Sequence, residues 1–299
     1  MNKCSKSIYF AARRGRTRFF MSYRRILTIQ DISCVGQCSM TVALPILSAC
    51  GLETAILPSA VLSTHTGGFS GFTVRDLAAD MPAIEEHWKK EGIRFDAIYT
   101  GYLGSKEQVD YVKSIAKNCS TEGARLIVDP AMADNGKLYY GFDEEYVNAM
   151  KRLCDGADVL LPNVTEACML TGLPYREEYD EAYVLELIEK LLALGAKRVV
   201  LTGISYDPAY NGVVVHDENG TRYYRHKRIA KGFHGTGDIY ASAMVGAWMR
   251  GNTLYESAQI AADYTVRCIE KTLGDENHWY GVKFELAIPY LVNRLGENN

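Results

Sequence analysis

Short apolar strands alternate with longer helical patterns along most of this 299-residue chain, and that alternation limits its fold more than any other feature. Residues 25–30 read as a buried strand, 38–49 have the apolar spacing of a helix stopped at Gly51, and 54–60 read as a second strand. A β-turn-α-β opening of this kind builds a doubly wound, mostly parallel sheet with helices on its faces. The pattern continues with a helix over 76–90, a strand at 95–100, a helix at 107–117 and a strand at 125–129. A helix over 143–153, a strand at 158–161, a helix opened by Asn163 and running to 170, a helix over 181–194 and a strand at 197–202 follow. Residues 211–216 and 221–227 read as a hairpin around Glu218-Asn219-Gly220, because Asn-Gly favours a tight turn. Helices over 239–249 and 253–273 and a helical tail after His278 complete the chain. No repeat or interdomain linker intervenes, so residues 23–299 read as one α/β domain.

Composition narrows the function classes. At 47% hydrophobic the chain can bury a large core, and a net charge of −3 with no basic stripe in its body argues against a nucleic-acid partner. Eight of the 33 basic residues lie within the first 25 positions, which hold no acid, leaving 25 basic against 36 acidic residues for the rest. Such a start reads either as a transit peptide or as an upstream extension before a true beginning at Met21, and residues 1–22 are set apart as a basic extension. No apolar run reaches the ~20 residues of a membrane span; even 42–62 is broken by Pro45, Glu53 and Pro58. The eight cysteines form no Cys-x-x-Cys pair and no zinc-like spacing, as expected of reduced thiols in a cytoplasmic protein.

Ligands of doubly wound sheets gather at the carboxyl ends of the strands, and the chemistry-bearing residues fall there. Asp31 and Ser33 follow the first strand, and a glycine-rich segment over 62–71 with His65 follows the second. Taken locally, His65 fits a loop-closing histidine better than a substrate ligand. Asp129 ends an apolar strand, where a carboxylate suits metal or phosphate chemistry, and the loop over 131–139 reads as a mobile flap. Asn163 and Glu166, three apart on a first helical turn, could hold a hydrated Mg²⁺ or could simply cap the helix. Gly235-Thr236-Gly237-Asp238 leads into an apolar helix. Its glycines can turn N–H groups inward to make an anion site at the helix start. Asp238 is there either a general base beside an incoming phosphoryl group or an N-terminal capping residue. Jointly these features equip a site for phosphoryl transfer, although the chain has no P-loop and no protein-kinase signature.

Thr28-Ile29-Gln30, Leu62-Ser63-Thr64-His65-Thr66, Thr100-Gly101-Tyr102-Leu103-Gly104-Ser105, Val128-Asp129-Pro130, Pro162-Asn163-Val164-Thr165-Glu166 and Gly235-Thr236-Gly237-Asp238 occur in this order. In that combination the chain resembles the pyridoxal and pyridoxamine (vitamin B6) kinases of the ribokinase-like superfamily, from about Ile26 to Thr272. The resemblance implies a three-layer α-β-α sandwich around a mostly parallel sheet, and ATP-dependent phosphorylation of the 5′-hydroxymethyl group of a B6 vitamer. It implies Asp238 as base, with Gly235, Thr236 and Gly237 as the anion hole. Asn163, Glu166 and Asp129 correspond to positions near Mg²⁺. Asp129, Asn163 and Thr202, with Asp134 and Tyr139 of the flap, correspond to nucleotide contacts. His65, Thr66 and Tyr102 correspond to positions around the pyridine ring, beside Asp31 and Ser33. It further implies K⁺ as a possible cofactor, a homodimer, and no nucleic-acid or membrane partner.

One departure bears on the acceptor. Many pyridoxal kinases carry Ser after the Gln of the first strand, where this chain has Asp31. A carboxylate pairs with a protonated pyridine nitrogen or an amine, so pyridoxamine, pyridoxine and the related hydroxymethylpyrimidine stand beside pyridoxal as acceptors. A non-catalytic vitamer or nucleotide sensor is the reading from another class. Against it stands Asp238, because a binder gains nothing from a carboxylate beside a phosphate.

Overall fold

The computed structural model describes residues 23–229 and 232–296, so the basic extension over 1–22 lies outside the described residues. The elements in chain order are β1 (Arg25–Ser33), α1 (Met40–Ala49), β2 (Glu53–Leu62), β3 (Val74–Asp76), α2 (Met81–Lys90), β4 (Phe95–Thr100) and α3 (Lys106–Asn118). Next come β5 (Ser120–Val128), β6 (Ala133–Asp134), β7 (Lys137–Leu138), α4 (Glu144–Cys154), β8 (Val159–Leu160), α5 (Val164–Thr171) and α6 (Glu181–Ala193). The chain closes with β9 (Val199–Ile204), β10 (Tyr210–Asp217), β11 (Gly220–Lys227), α7 (Thr236–Met249), α8 (Leu254–Thr272) and α9 (Ile288–Gly296).

Neighbouring residues along a strand face opposite layers, and the two cores follow that period of two. Ile26, Ala97, Ile127, Val159 and Val200 pack with α1, α7, α8 and α9, whereas Leu27, Ile98, Val128, Leu160 and Leu201 pack with the helices from α2 to α6. The result is the expected three-layer sandwich. Its nine-stranded sheet runs β11-β10-β9-β8-β5-β4-β1-β2-β3. The six strands from β9 to β2 are parallel, and the edges β3, β10 and β11 are antiparallel. The chain leaves β1 toward β2 on one side and returns to β4 on the other, so the topological switch lies between β1 and β4. Gly101, just beyond β4, lets the two strand ends approach there: a Cβ at this position would lie 2.5 Å from Gln30 Oε1.

Several boundaries differ from the sequence expectation for local physical reasons. β1 continues past Gln30 to Ser33, with a register shift opposite Pro58, whose nitrogen cannot donate to the ladder. The expected helix over 76–90 begins only at Met81. Asp76 belongs to β3, and its Oδ1 accepts from Ala78 N at 2.6 Å, which turns the chain before the helix. β5 starts early, at Ser120, but its polar front half is irregular: Phe95 pairs with Ser120 and Ala97 already with Arg125.

The segment over 131–139 is not an open loop but carries the two-stranded β6–β7 hairpin. Asn135 (φ 50°) and Gly136 (φ 75°) occupy its turn, both left-handed, as a type I′ turn requires. In the β10–β11 hairpin Asp217 pairs with Gly220, so Glu218-Asn219 form the turn and Gly220 (φ 92°) follows it, one step later than an Asn-Gly turn. The seven described cysteines are all free thiols, and no helix among the described residues is long and apolar enough to cross a membrane.

Helix α7 packs closely on α1 at Gly246, where an added Cβ would sit 2.4 Å from Cys50 Sγ. Gly246→Val is expected to cost about 1–3 kcal/mol in urea unfolding, and Cys50→Ala in the same chain should restore part of that loss.

Candidate active site

The strand ends place the sequence-predicted residues along one rim of the sheet. Asp31 and Ser33 lie at the carboxyl end of β1 toward the switch point, both buried, and Ser33 Oγ donates to Asp31 Oδ2 at 2.9 Å. Burial pushes the Asp31 carboxyl up, against the hydroxyls of Ser39 and Ser33, which favour its ionised form. Burial, and then the charges of Asp31 and Asp76, raise the phenol pKa of Tyr102 beyond β4, and its ring stacks on Phe142 at 5.3 Å.

His65 is buried after β2 with both ring nitrogens engaged by backbone. Nδ1 accepts from Gly67 N at 3.0 Å, which leaves Nε2 as the donor to the Tyr280 carbonyl at 2.7 Å. The histidine therefore closes a loop onto the C-terminal segment, the role its local pattern favours. Its ring edge faces Phe69 and, at 5.2 Å, His234 of the glycine loop. Thr66 is exposed beside it.

Gly235 (φ 76°) is the N-cap of α7, with Thr236, Gly237 and Asp238 forming the first turn. A side chain at Gly235 would meet the Gln37 carbonyl at 1.9 Å, so only glycine lets this helix start dock on the β1–α1 loop. The first-turn N–H groups have no intrahelical acceptors and open an anion site. Asp238 is the third residue of the helix, not its cap. Its half-buried carboxyl is pushed up to about 7 by burial, with the Ser39 backbone N–H opposing and the Asp31 charge adding to the shift.

Asp129, directly after β5, is raised well above the ordinary carboxylate range by burial and then by the charges of Glu166 and Asp238. Glu166 is also raised by burial, and its oxygens accept from Asn163 N at 2.8 Å and Met132 N at 3.1 Å. With Asn163 Oδ1 accepting from Glu166 N at 2.9 Å, this is a complete capping box at the start of α5. Asn163 Nδ2 also donates to the Ala133 carbonyl and Thr165 Oγ1 accepts from Gly136 N, so the cap holds the β6–β7 hairpin down. Thr202 of β9 pairs with Asn163.

On the hairpin, Asp134 is exposed and accepts from Asn135 N. Tyr139 lies at its far end, its phenol pKa raised by burial and by the charges of Glu166 and Asp134. Two residues of this rim carry no sequence signal: Ser39, buried between Asp31 and Asp238, and Tyr99, buried beneath Asp129 and Asp238.

Glu166 and Asp238 both act on Asp129, so the three carboxylates share one electrostatic neighbourhood. Among the described residues no cluster of three or more His, Cys, Asp or Glu side chains is arranged to hold a metal by itself. An all-oxygen, negatively charged and incomplete donor set of this kind fits Mg²⁺, which keeps several waters and takes phosphate ligands.

Residues 48–282 match the family described as phosphomethylpyrimidine kinase. The crystal structure of a Bacteroides thetaiotaomicron protein, in a form with pyridoxal, superposes with a TM-score of 0.85 at 34% identity, covering 90% of this chain and 96% of that one. Pyridoxal kinase from Lactobacillus plantarum gives a TM-score of 0.85 at 32% identity over 93% and 99% of the two chains. The hydroxymethylpyrimidine/phosphomethylpyrimidine kinase of Bacillus subtilis is 28% identical over 225 residues, 74% of this chain and 78% of its own.

Because the folded Asp238 carboxyl lies above its ordinary value of 3.8, the fold favours its neutral form. That contribution is fully present below the ordinary value and is lost as pH rises through about 7. Asp238→Asn, which keeps the shape without the charge, should therefore be the more stable protein at pH 8, by up to about 4 kcal/mol. The difference should shrink as pH falls through that window and vanish in denaturant titrations below the ordinary value of 3.8.

Proposed function

The chain belongs to the phosphomethylpyrimidine kinase family of the ribokinase-like superfamily, and from that premise we propose that it phosphorylates the 5′-hydroxymethyl group of a B6 vitamer with ATP. The observation that carries this reading is the pairing, on one rim, of a carboxyl tuned to about 7 at a glycine-built helix start with a second, buried carboxylate at the switch point. A base near neutrality holds its proton loosely enough to cycle at physiological pH. Asp31 is suited to a protonated pyridine nitrogen or an amine, with Ser33 orienting it and Tyr102 beside it. The B. thetaiotaomicron relative that holds pyridoxal supports that choice of acceptor.

In the proposed reaction Asp238 takes the hydroxymethyl proton as the oxygen attacks the γ-phosphorus of ATP. The bond to the β–γ bridging oxygen breaks and ADP departs. First-turn N–H groups at Gly235, Thr236 and Gly237 meet the charge on the transferred phosphoryl, a stabilisation aimed at the transition state rather than at either substrate. Asn163, Glu166 and Asp129 would hold Mg²⁺, partly through water, and the ion would neutralise phosphate charge when bound. The β6–β7 hairpin lies beside this cap, where Asp134 and Tyr139 would face the nucleotide; Thr202 would stand next to the phosphates, and Thr66 and His65 at the acceptor mouth.

Hydroxymethylpyrimidine is the second acceptor this reading admits, supported by the B. subtilis relative and by the suitability of Asp31 for a protonated ring. ATP turnover with pyridoxal, pyridoxamine, pyridoxine and hydroxymethylpyrimidine decides between them. One vitamer is expected to be used well above the pyrimidine, and turnover with the pyrimidine alone would move the chain to the second reading. Asp238→Asn is expected to bind ATP normally while losing roughly 10²-fold or more in kcat; near-normal kcat in that variant would remove Asp238 from the role of base.

A further inference from the structure

Ser39 is the only described non-glycine residue besides Asn135 with a left-handed φ, and nothing about a turn sequence explains it. Its φ of 52° and ψ of −125° immediately precede α1, and the residue is 6% exposed. A serine pays strain in that region, so the surrounding contacts must hold it there. Its carbonyl starts α1, accepting from Val42 N at 3.0 Å and Ala43 N at 2.9 Å, and its other contacts lead to the active rim. Ser39 bridges to Ile32, next to Asp31 on β1. The segment just before it presses on the glycine loop, with the Gln37 carbonyl and Cys38 Sγ at 1.9 and 3.4 Å from where a Gly235 side chain would begin. Its hydroxyl faces Asp31 and its backbone N–H faces Asp238.

We propose that Ser39 is a positioning residue that ties the acceptor-recognising carboxylate to the base, its hydroxyl donating to Asp31 and its backbone N–H to Asp238. The strained backbone is what allows one residue to serve both. With ordinary helical angles the N–H of Ser39 would be directed along α1 rather than across to the start of α7. The inference rests on the acceptor-kinase reading for its kinetic consequence, and on the geometry alone for its effect on Asp31.

The test compares Ser39→Ala, which removes the hydroxyl and keeps the backbone, with Ser39→Gly, which also removes the hydroxyl but relieves the backbone. Both should raise KM for the best acceptor about tenfold or more, as expected for a lost hydrogen bond to a charged group, with KM for ATP unchanged. The melting temperature of Ser39→Gly should equal or exceed that of the wild type, which excludes misfolding as the cause. In the ligand-free protein, the ¹³Cγ titration of Asp31 should move up by about half a pH unit or more in Ser39→Ala. His65, Tyr102, Cys38 and Asp238 are the other titrating groups facing this pair, and they are unchanged in the variant. An acceptor KM within twofold of wild type, or an unmoved Asp31 titration, overturns the proposal. If the wild type phosphorylates none of the acceptors, the kinase reading fails while the Asp31 titration still decides the role of Ser39.

Discussion

The docking of the α7 start onto the β1–α1 loop is the constraint on which the rest of the site depends. Gly235 meets the Gln37 carbonyl so closely that no side chain fits, and this contact brings Asp238 within reach of Ser39 and Asp31. Two segments about 200 residues apart in sequence are thereby held in one fixed relation. In the proposed reaction neither the glycine turn nor the Asp31 carboxylate would serve without the other, and the packing of α7 on α1, through Gly246 against Cys50, holds the two together.

A second constraint is the concentration of negative charge. Burial raises the proton affinity of Asp129, Glu166 and Asp238, and the charges of Glu166 and Asp238 raise that of Asp129 further. This is a cost in stability that a structural role would not require. In the proposed reaction a nucleotide arriving with its divalent ion would offset that charge, so the site would favour the pair over the nucleotide alone. The capping box deepens this arrangement, because Glu166 serves the helix start and the carboxylate cluster with the same two oxygens.

Much of the fold was legible because the two relevant periods are strong: paired apolar residues such as Ile26 and Leu27, or Ile127 and Val128, divide between opposite layers. The capping box at Asn163 and Glu166 was legible from its spacing, and so was the loop-closing reading of His65. Elsewhere the signal was misread or absent. Asn135-Gly136 carries the same turn chemistry that located the hairpin near Gly220, but strands of two residues are too short to show alternation. The front of β5 is polar and bulged, so nothing in Ser120-Thr121-Glu122 suggests a central strand. Ser39 was invisible for a different reason: a left-handed serine is imposed by long-range contacts, and a single residue type does not encode them.

The antiparallel strands at the two edges of the sheet have a consequence for the protein in a crowded solution. A parallel sheet with bare sides would offer rows of unpaired N–H and C=O groups to any other extended chain. Here β3 contributes only three residues, Val74, Arg75 and Asp76, all exposed, and β11 presents Arg222, Arg225, His226 and Lys227 along its length. Shortness guards one side and positive charge the other, so the sheet ends at nine strands without inviting a tenth from a neighbour.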